Sequence, residues 1–196
     1  MQDSLVSIAF YGRGGQGAVT AATILAKAAY KTGKYPFVMA FPTFGPERRG
    51  APVSAFARIS SNIIYDRSKI SSADILIIMD PSILKTANPV TTLKTDGLML
   101  VNSHELNSEL REKYAIPSDA KLGVVDIVKI CFEINLMIGG NTPIFNTPVL
   151  GAISRMYDAI PLDIMLEAIK ENFTKPDIAE LNAEGARLAY EKLNVD

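Results

Sequence analysis

Apolar positions along this chain come in two rhythms, short continuous runs and longer stretches of helical spacing, and the two alternate. The run "SLVSIAFY" (Ser4–Tyr11) mixes β-branched and aromatic residues and stops at a glycine, which predicts a buried strand. "GAVTAATILAKAAYKTG" follows with helical spacing and closes at Gly33; its alanines at 18, 21, 22, 26 and 29 give a helix able to pack tightly on a sheet. "YPFVMAF" predicts a second strand. "VSAFARIS", a turn at "SN" and "IIYDR" together predict a β-hairpin. Three apolar runs then share one form, each ending in a polar residue: "ADILIIMD" at Asp80, "GLMLVN" at Asn102 and "KLGVVD" at Asp126. Continuous apolar strands of this kind are buried on both faces and belong to parallel sheets. "IVKICFEINLMI" reads as a helix stopped by Gly139-Gly140, and the last fifty residues read as helices, with Pro161 and Pro176 suited to first-turn positions.

Strands alternating with helices define an α/β fold, a Rossmann-like layered arrangement with a mostly parallel sheet, a β-hairpin insertion and a helical C-terminus. With 196 residues and no internal repeat or long linker, residues 1–196 form a single domain. Ligands in such folds bind beyond the carboxyl ends of the strands. The glycine loop after the first strand, Asp80, Asn102 and Asp126 are the candidates there. Asp80 precedes Pro81 and Asp126 precedes a helix, so each also fits a simple capping role.

The loop itself is "GRGGQG", Gly12-Arg13-Gly14-Gly15-Gln16-Gly17. It fits G-x-G-x-x-G between a predicted strand and a predicted helix, the setting in which glycines let a phosphate approach backbone N–H groups at a helix N-terminus. Arg13 adds a cation, and a tight packing turn is the other use of such a loop. Dinucleotide sites of this type carry an acidic residue about twenty positions further on, yet Ala18 to Pro46 contains no Asp or Glu. That weighs against a stand-alone NAD(P)-binding dehydrogenase. A second unusual stretch, "FPTFGPERRGAPVSAFARIS", sets Glu47, Arg48 and Arg49 among prolines and glycines. Adjacent arginines can hold phosphate or carboxylate, or can pair internally with Glu47.

Charge changes the picture by exclusion. Twenty basic against 21 acidic residues is not the balance of a nucleic-acid binder. One cysteine, Cys131, on an apolar helix face, excludes a disulfide framework and a four-cysteine cluster site within the chain. The single histidine, His104, in "NSHELNSEL", reads as a surface or capping residue. No apolar run reaches membrane-spanning length and no signal peptide is recognised, so the expected location is the cytoplasm, with no membrane partner.

Taken together, "GRGGQGAVTAATILAKAAYKTGKYPFVMAFPTFGPERRGAPVSAFARIS", "DPSIL", "DGLMLVNS", "VVDIVKI" and "FNTPVLGA" resemble, in order, the gamma subunit of the pyruvate:ferredoxin oxidoreductase family, the 2-oxoacid:ferredoxin oxidoreductases or pyruvate synthases. The "ERRGAP" form is more similar to the pyruvate and branched-chain enzymes than to 2-oxoglutarate relatives. The resemblance implies a hetero-oligomer with alpha, beta and delta subunits. That complex oxidatively decarboxylates pyruvate or a related 2-oxoacid with coenzyme A, giving acyl-CoA and carbon dioxide and reducing ferredoxin. It implies thiamine diphosphate with Mg²⁺ and [4Fe-4S] clusters in the complex, none bound by this chain alone. No catalytic residue or metal ligand is expected here. The residues expected at a CoA site or subunit interface are Gly12 to Gly17, Glu47, Arg48 and Arg49. Asn146 and Thr147, before the "PVLGA" helix, can reach the same face, or serve as turn and cap. A purely structural subunit whose glycines are packing devices is the other reading.

Overall fold

A computed structural model describes residues 5–42 and 50–196. Nine strands and seven helices of the described residues follow the order β1 (Leu5–Arg13), α1 (Ala18–Lys31), β2 (Phe37–Pro42), β3 (Pro52–Ser60), β4 (Ala73–Ile78), α2 (Ser82–Thr86), β5 (Leu93–Asn102), α3 (Asn107–Tyr114), β6 (Lys121–Val125), α4 (Ile127–Glu133), β7 (Met137–Ile138), β8 (Thr142–Pro143), α5 (Pro148–Met156), α6 (Leu162–Lys170), α7 (Pro176–Lys192) and β9 (Asn194–Val195). Seven strands form one sheet in the order β2-β3-β1-β4-β5-β6-β9. β1, β4, β5 and β6 run parallel, whereas β3 is antiparallel to both of its neighbours, β1 and β2, and β9 is antiparallel to β6.

Alternation along each strand sorts its side chains into two layers. Ile8 and Phe10 of β1, Ile75 and Ile77 of β4 and Ala57 and Ile59 of β3 face α1 and α4 to α7. Ala9, Tyr11, Leu76, Ile78 and Phe56 face the opposite side, with Ile83 of α2 and Leu110 of α3. Both faces of the central strands are therefore buried, which explains their unbroken apolar runs. On α1, Ala21, Ala22, Ala28 and Ala29 are completely buried, and their single methyls let the helix lie close to the sheet.

Two local expectations are corrected. Ile63–Arg67 forms no strand; the hairpin is made instead by β2 and β3, paired from Phe37↔Ser60 to Pro42↔Ala55. Both edges of β3 are taken, by β2 and by β1, so no edge remains for "IIYDR". That stretch is held by Arg58 of β3, 3% exposed, whose guanidinium donates to the carbonyls of Asp66 and Ser68 and pairs with the Asp66 carboxylate at 3.0 Å. The "IVKICFEINLMI" helix also ends early, at Glu133. Asn135 turns the chain with φ 55°, and Met137–Ile138 pairs with Thr142–Pro143 as a two-stranded ribbon around Gly139-Gly140. β9, closing the edge of the sheet beside β6, was not expected from the sequence.

Candidate functional site

The chain leaves β1 through α1 toward β2 at one edge of the sheet, and later runs from β4 to β5 and β6 toward the other edge. The crossovers diverge on either side of β1 and β4, and at such a switch point the connecting loops part and leave a crevice beyond the strand ends. The glycine loop stands there because it is the β1–α1 connection. Asp80 stands there because it follows β4, with Asn102 and Asp126 at the ends of β5 and β6.

Within the loop, Gly15 and Gly17 have φ of 95° and 80°, and Gly17 is the residue preceding α1. The first turn of α1 receives no side-chain cap and contains no acidic residue. The positive end of a 14-residue helix is thus left to its surroundings. The side chains of the loop are bound inward. Gln16 folds back so that its Oε1 accepts the Arg13 N–H at 2.7 Å while its Nε2 donates to Asp80 at 3.1 Å. Arg13 pairs with Asp80 at 3.2 Å, donates to the Ser82 hydroxyl, and donates through a third nitrogen to the Gly50 carbonyl at 2.9 Å. Burial opposes ionisation of Asp80, but hydrogen bonds from Ser82 and Gln16 and the Arg13 charge prevail and hold its carboxyl below the usual carboxylate range.

Glu47, Arg48 and Arg49 lie outside the described residues. The residues that follow them are tied to the glycine loop: the Gly14 amide donates to the Ala51 carbonyl at 2.8 Å and the Gly50 amide donates to the Gly14 carbonyl at 3.1 Å. Since Arg49 is bonded directly to Gly50, the two unusual stretches of the sequence meet at one place.

The other candidates divide. Asp126 accepts the Lys129 amide at 2.9 Å and caps α4, as its position allowed. Asn102 is a buried strut, donating to the Met79 carbonyl and accepting from the Ile127 amide, both at 3.0 Å. Thr147 is fully buried and donates to Asn182 of α7 at 2.7 Å, so it joins two helices and does not cap its own. Asn146 stacks against the glycine loop: a methyl on Gly17 would lie 2.8 Å from its Nδ2. Its Oδ1 is buried and finds no partner among the described residues. His104 is exposed, and Cys131 is buried with its thiol donating to the Ile144 carbonyl; burial raises that thiol to about 11, which keeps it protonated and unreactive.

Two crevices flank Gln16. One, of about 540 Å³, has Gly15, Gln16, Gly17 and Asn146 at its rim and apolar walls from Leu136, Ile144, Phe173 and Leu181. The other, of about 490 Å³, has Asp80, Ser103, His104 and Lys129 among its lining. The apolar walls were missed in the sequence because they come from three separate loops and from α7. Asp80 as a junction was signalled only by the spacing Asp80-Pro81-Ser82, which suits a side-chain turn. Among the described residues no three His, Cys, Asp or Glu side chains come together as a metal site. With a single cysteine the chain does not fit a four-iron cluster, and no redox step is assigned to it.

Residues 7–192 match the family model described as pyruvate ferredoxin/flavodoxin oxidoreductase. This chain belongs to that family. It is 43% identical over 191 residues to the pyruvate/ketoisovalerate oxidoreductases common subunit gamma of Pyrococcus furiosus, covering 97% of this chain and 98% of that one. It is 42% identical over 190 residues to the pyruvate synthase subunit PorC of Methanothermobacter marburgensis, covering 96% and 98%. The solved pyruvate oxidoreductase subunit PORC of Thermotoga maritima superposes with a TM-score of 0.82 at 32% identity, over 99% of both chains. The chain is thus a gamma subunit of a pyruvate or related 2-oxoacid:ferredoxin oxidoreductase, and works as one subunit of a larger enzyme. A stand-alone NAD(P)-linked dehydrogenase is not favoured. No helix of the described residues is long and apolar enough to cross a membrane.

Proposed function

We propose that this gamma subunit supplies a wall of the coenzyme A site in a cytoplasmic complex with alpha, beta and delta subunits, and that the 2-oxoacid is pyruvate. The observation that supports the reading is the tie between Gly14 and Gly50, which brings an uncapped helix N-terminus and the residue that follows Arg49 in the sequence to one switch point. Coenzyme A bears a pyrophosphate and a 3′-phosphate, and both backbone N–H groups and arginines recognise phosphate. Arg13 is committed to Asp80, Ser82 and Gly50, so the cations assigned to the ligand are Arg48 and Arg49. The neighbouring apolar crevice is of a size to take part of a long flexible arm.

Within the complex, thiamine diphosphate with Mg²⁺ would supply the carbanion and [4Fe-4S] clusters the one-electron steps toward ferredoxin. The task left to this chain is to bind and orient the acyl acceptor. A second reading, a branched-chain 2-oxoacid as substrate, is favoured by one fact: the Pyrococcus relative is named as common to pyruvate and ketoisovalerate oxidoreductases. Under both readings the 2-oxoacid is selected outside this chain. The test is replacement of Arg48 and Arg49 by alanine in the assembled complex. We expect KM for coenzyme A to rise roughly tenfold or more, as expected for loss of charge-assisted hydrogen bonds, with KM for pyruvate unchanged. Normal assembly with an unchanged KM for coenzyme A would overturn the CoA role, leaving a role at the subunit interface.

A further inference from the structure

Asp80 does more than a capping residue needs to do. Its Oδ1 accepts from the Ser82 amide and hydroxyl, which is the local turn that a cap provides. Its Oδ2 faces away from that turn; it accepts a hydrogen bond from Gln16 at 3.1 Å and forms an ion pair with Arg13 at 3.2 Å, residues 64 and 67 positions earlier in the chain. Both of those partners reach further. Gln16 holds the Arg13 amide, fixing the loop from inside, and Arg13 holds the Gly50 carbonyl, fixing the residue that follows Arg49. One carboxylate oxygen is thus linked to both the glycine loop and Gly50. A carboxylate beside an anion site is repulsive unless it is compensated. Here the Arg13 guanidinium compensates it, which leaves the helix N-terminus as the unopposed positive end.

We propose that Asp80 is a positioning residue: through Gln16 and Arg13 it sets where the glycine loop and Gly50 stand, without touching the ligand itself. Its effect on coenzyme A rests on the CoA reading given above. Its effect on the loop does not.

The two can be separated in the assembled complex with Asp80→Asn, Asp80→Glu and Gln16→Met. Gln16→Met cuts the link to the loop while leaving the turn at Ser82 intact, so it stands in should Asp80→Asn fail to assemble. Amide hydrogen exchange is read at Gly14 to Gly17 and at Gly50, alongside KM for coenzyme A, KM for pyruvate and kcat. Asp80→Asn and Gln16→Met are expected to speed exchange at those amides and raise KM for coenzyme A about tenfold, the effect of losing one or two orienting hydrogen bonds. Pyruvate KM and kcat should stay within about twofold, since the loss concerns one substrate only. Asp80→Glu, which keeps the carboxylate, should recover part of both effects. Faster exchange with an unchanged KM for coenzyme A would support the positioning role and overturn the CoA reading. Unaltered exchange in Asp80→Asn and Gln16→Met would overturn the positioning role whatever the kinetics.

Discussion

Gly15 and Gly17 share a left-handed backbone but differ in what a side chain would meet. A methyl at Gly15 has nothing within 4 Å, whereas at Gly17 it would stand 2.8 Å from Asn146 Nδ2 and 2.9 Å from Asn146 Cβ. Gly15→Ala should therefore cost only the backbone penalty, about 1–2 kcal/mol. Gly17→Ala adds displacement of Asn146 and should cost ~3 kcal/mol. Denaturant midpoints of the two variants measure the difference, and equal losses would mean that Asn146 yields without resistance. At this scale the sequence was informative about place and silent about partners. Six glycine-loop residues announced a turn that admits close approach. Nothing in the local spacing said that Gln16 and Arg13 would be consumed by Asp80, because that residue lies 64 positions beyond Gln16, at the end of the neighbouring strand β4.

Among elements, α5 and α7 approach closely at a glycine. A methyl on Gly151 would lie 1.8 Å from the Ala186 carbonyl oxygen, which is backbone and has no rotamer to escape by. Gly151→Ala should push the helices apart at a cost of ~3 kcal/mol or more, visible as a large fall in the unfolding midpoint. The contact of α1 with α6 is of another kind. Glu171 accepts from Lys27 and Lys31, each at 2.7 Å, and those two cations bring its carboxyl down to about 2 from an ordinary 4.5. Because the folded value is the depressed one, this contribution is complete above about pH 4.5 and is lost as pH falls toward about 2. The stability difference between wild type and Glu171→Gln, followed through acid unfolding, should shrink over that window. The pair is exposed, so the same difference should also shrink in high salt. Helices and parallel strands were readable because burial on one or both faces dictates their periods. "IIYDR" misled for a reason of supply: it has strand-forming residues, but a strand also needs a free edge, and pairing of β3 on both sides is a long-range fact.

For the molecule as a whole, the sheet is closed at one margin by a few residues. Asn194 and Val195 pair with β6, and the Asp196 carboxylate accepts from Arg111 at 2.8 and 2.9 Å and from the Leu122 amide at 3.1 Å. Removing residues 194–196 should cost ~2 kcal/mol, about the net worth of two or three partly exposed hydrogen bonds. It should also bare the edge of β6 to pairing between copies. Denaturant unfolding and size-exclusion chromatography check the two outcomes, and a fully monomeric truncation of undiminished stability would contradict both. The layered α/β architecture was legible in the alternation of runs, and the family in two paired motifs. The apolar crevice beside Gly15 was not, since Leu136, Ile144, Phe173 and Leu181 are neighbours only after folding.

The tie between Gly14 and Gly50 has a meaning for how such a subunit can diverge. The chain departs from this point along α1, returns along β2, and passes through residues 43–49 before it is caught again at Gly50. Pro42 is registered against Ala55, and Gly50 against the glycine loop, so these two points have separate anchors. The register of β2 on β3 and the seat of Gly50 on the glycine loop are therefore fixed separately, so a sequence change that disturbs one leaves the other in place.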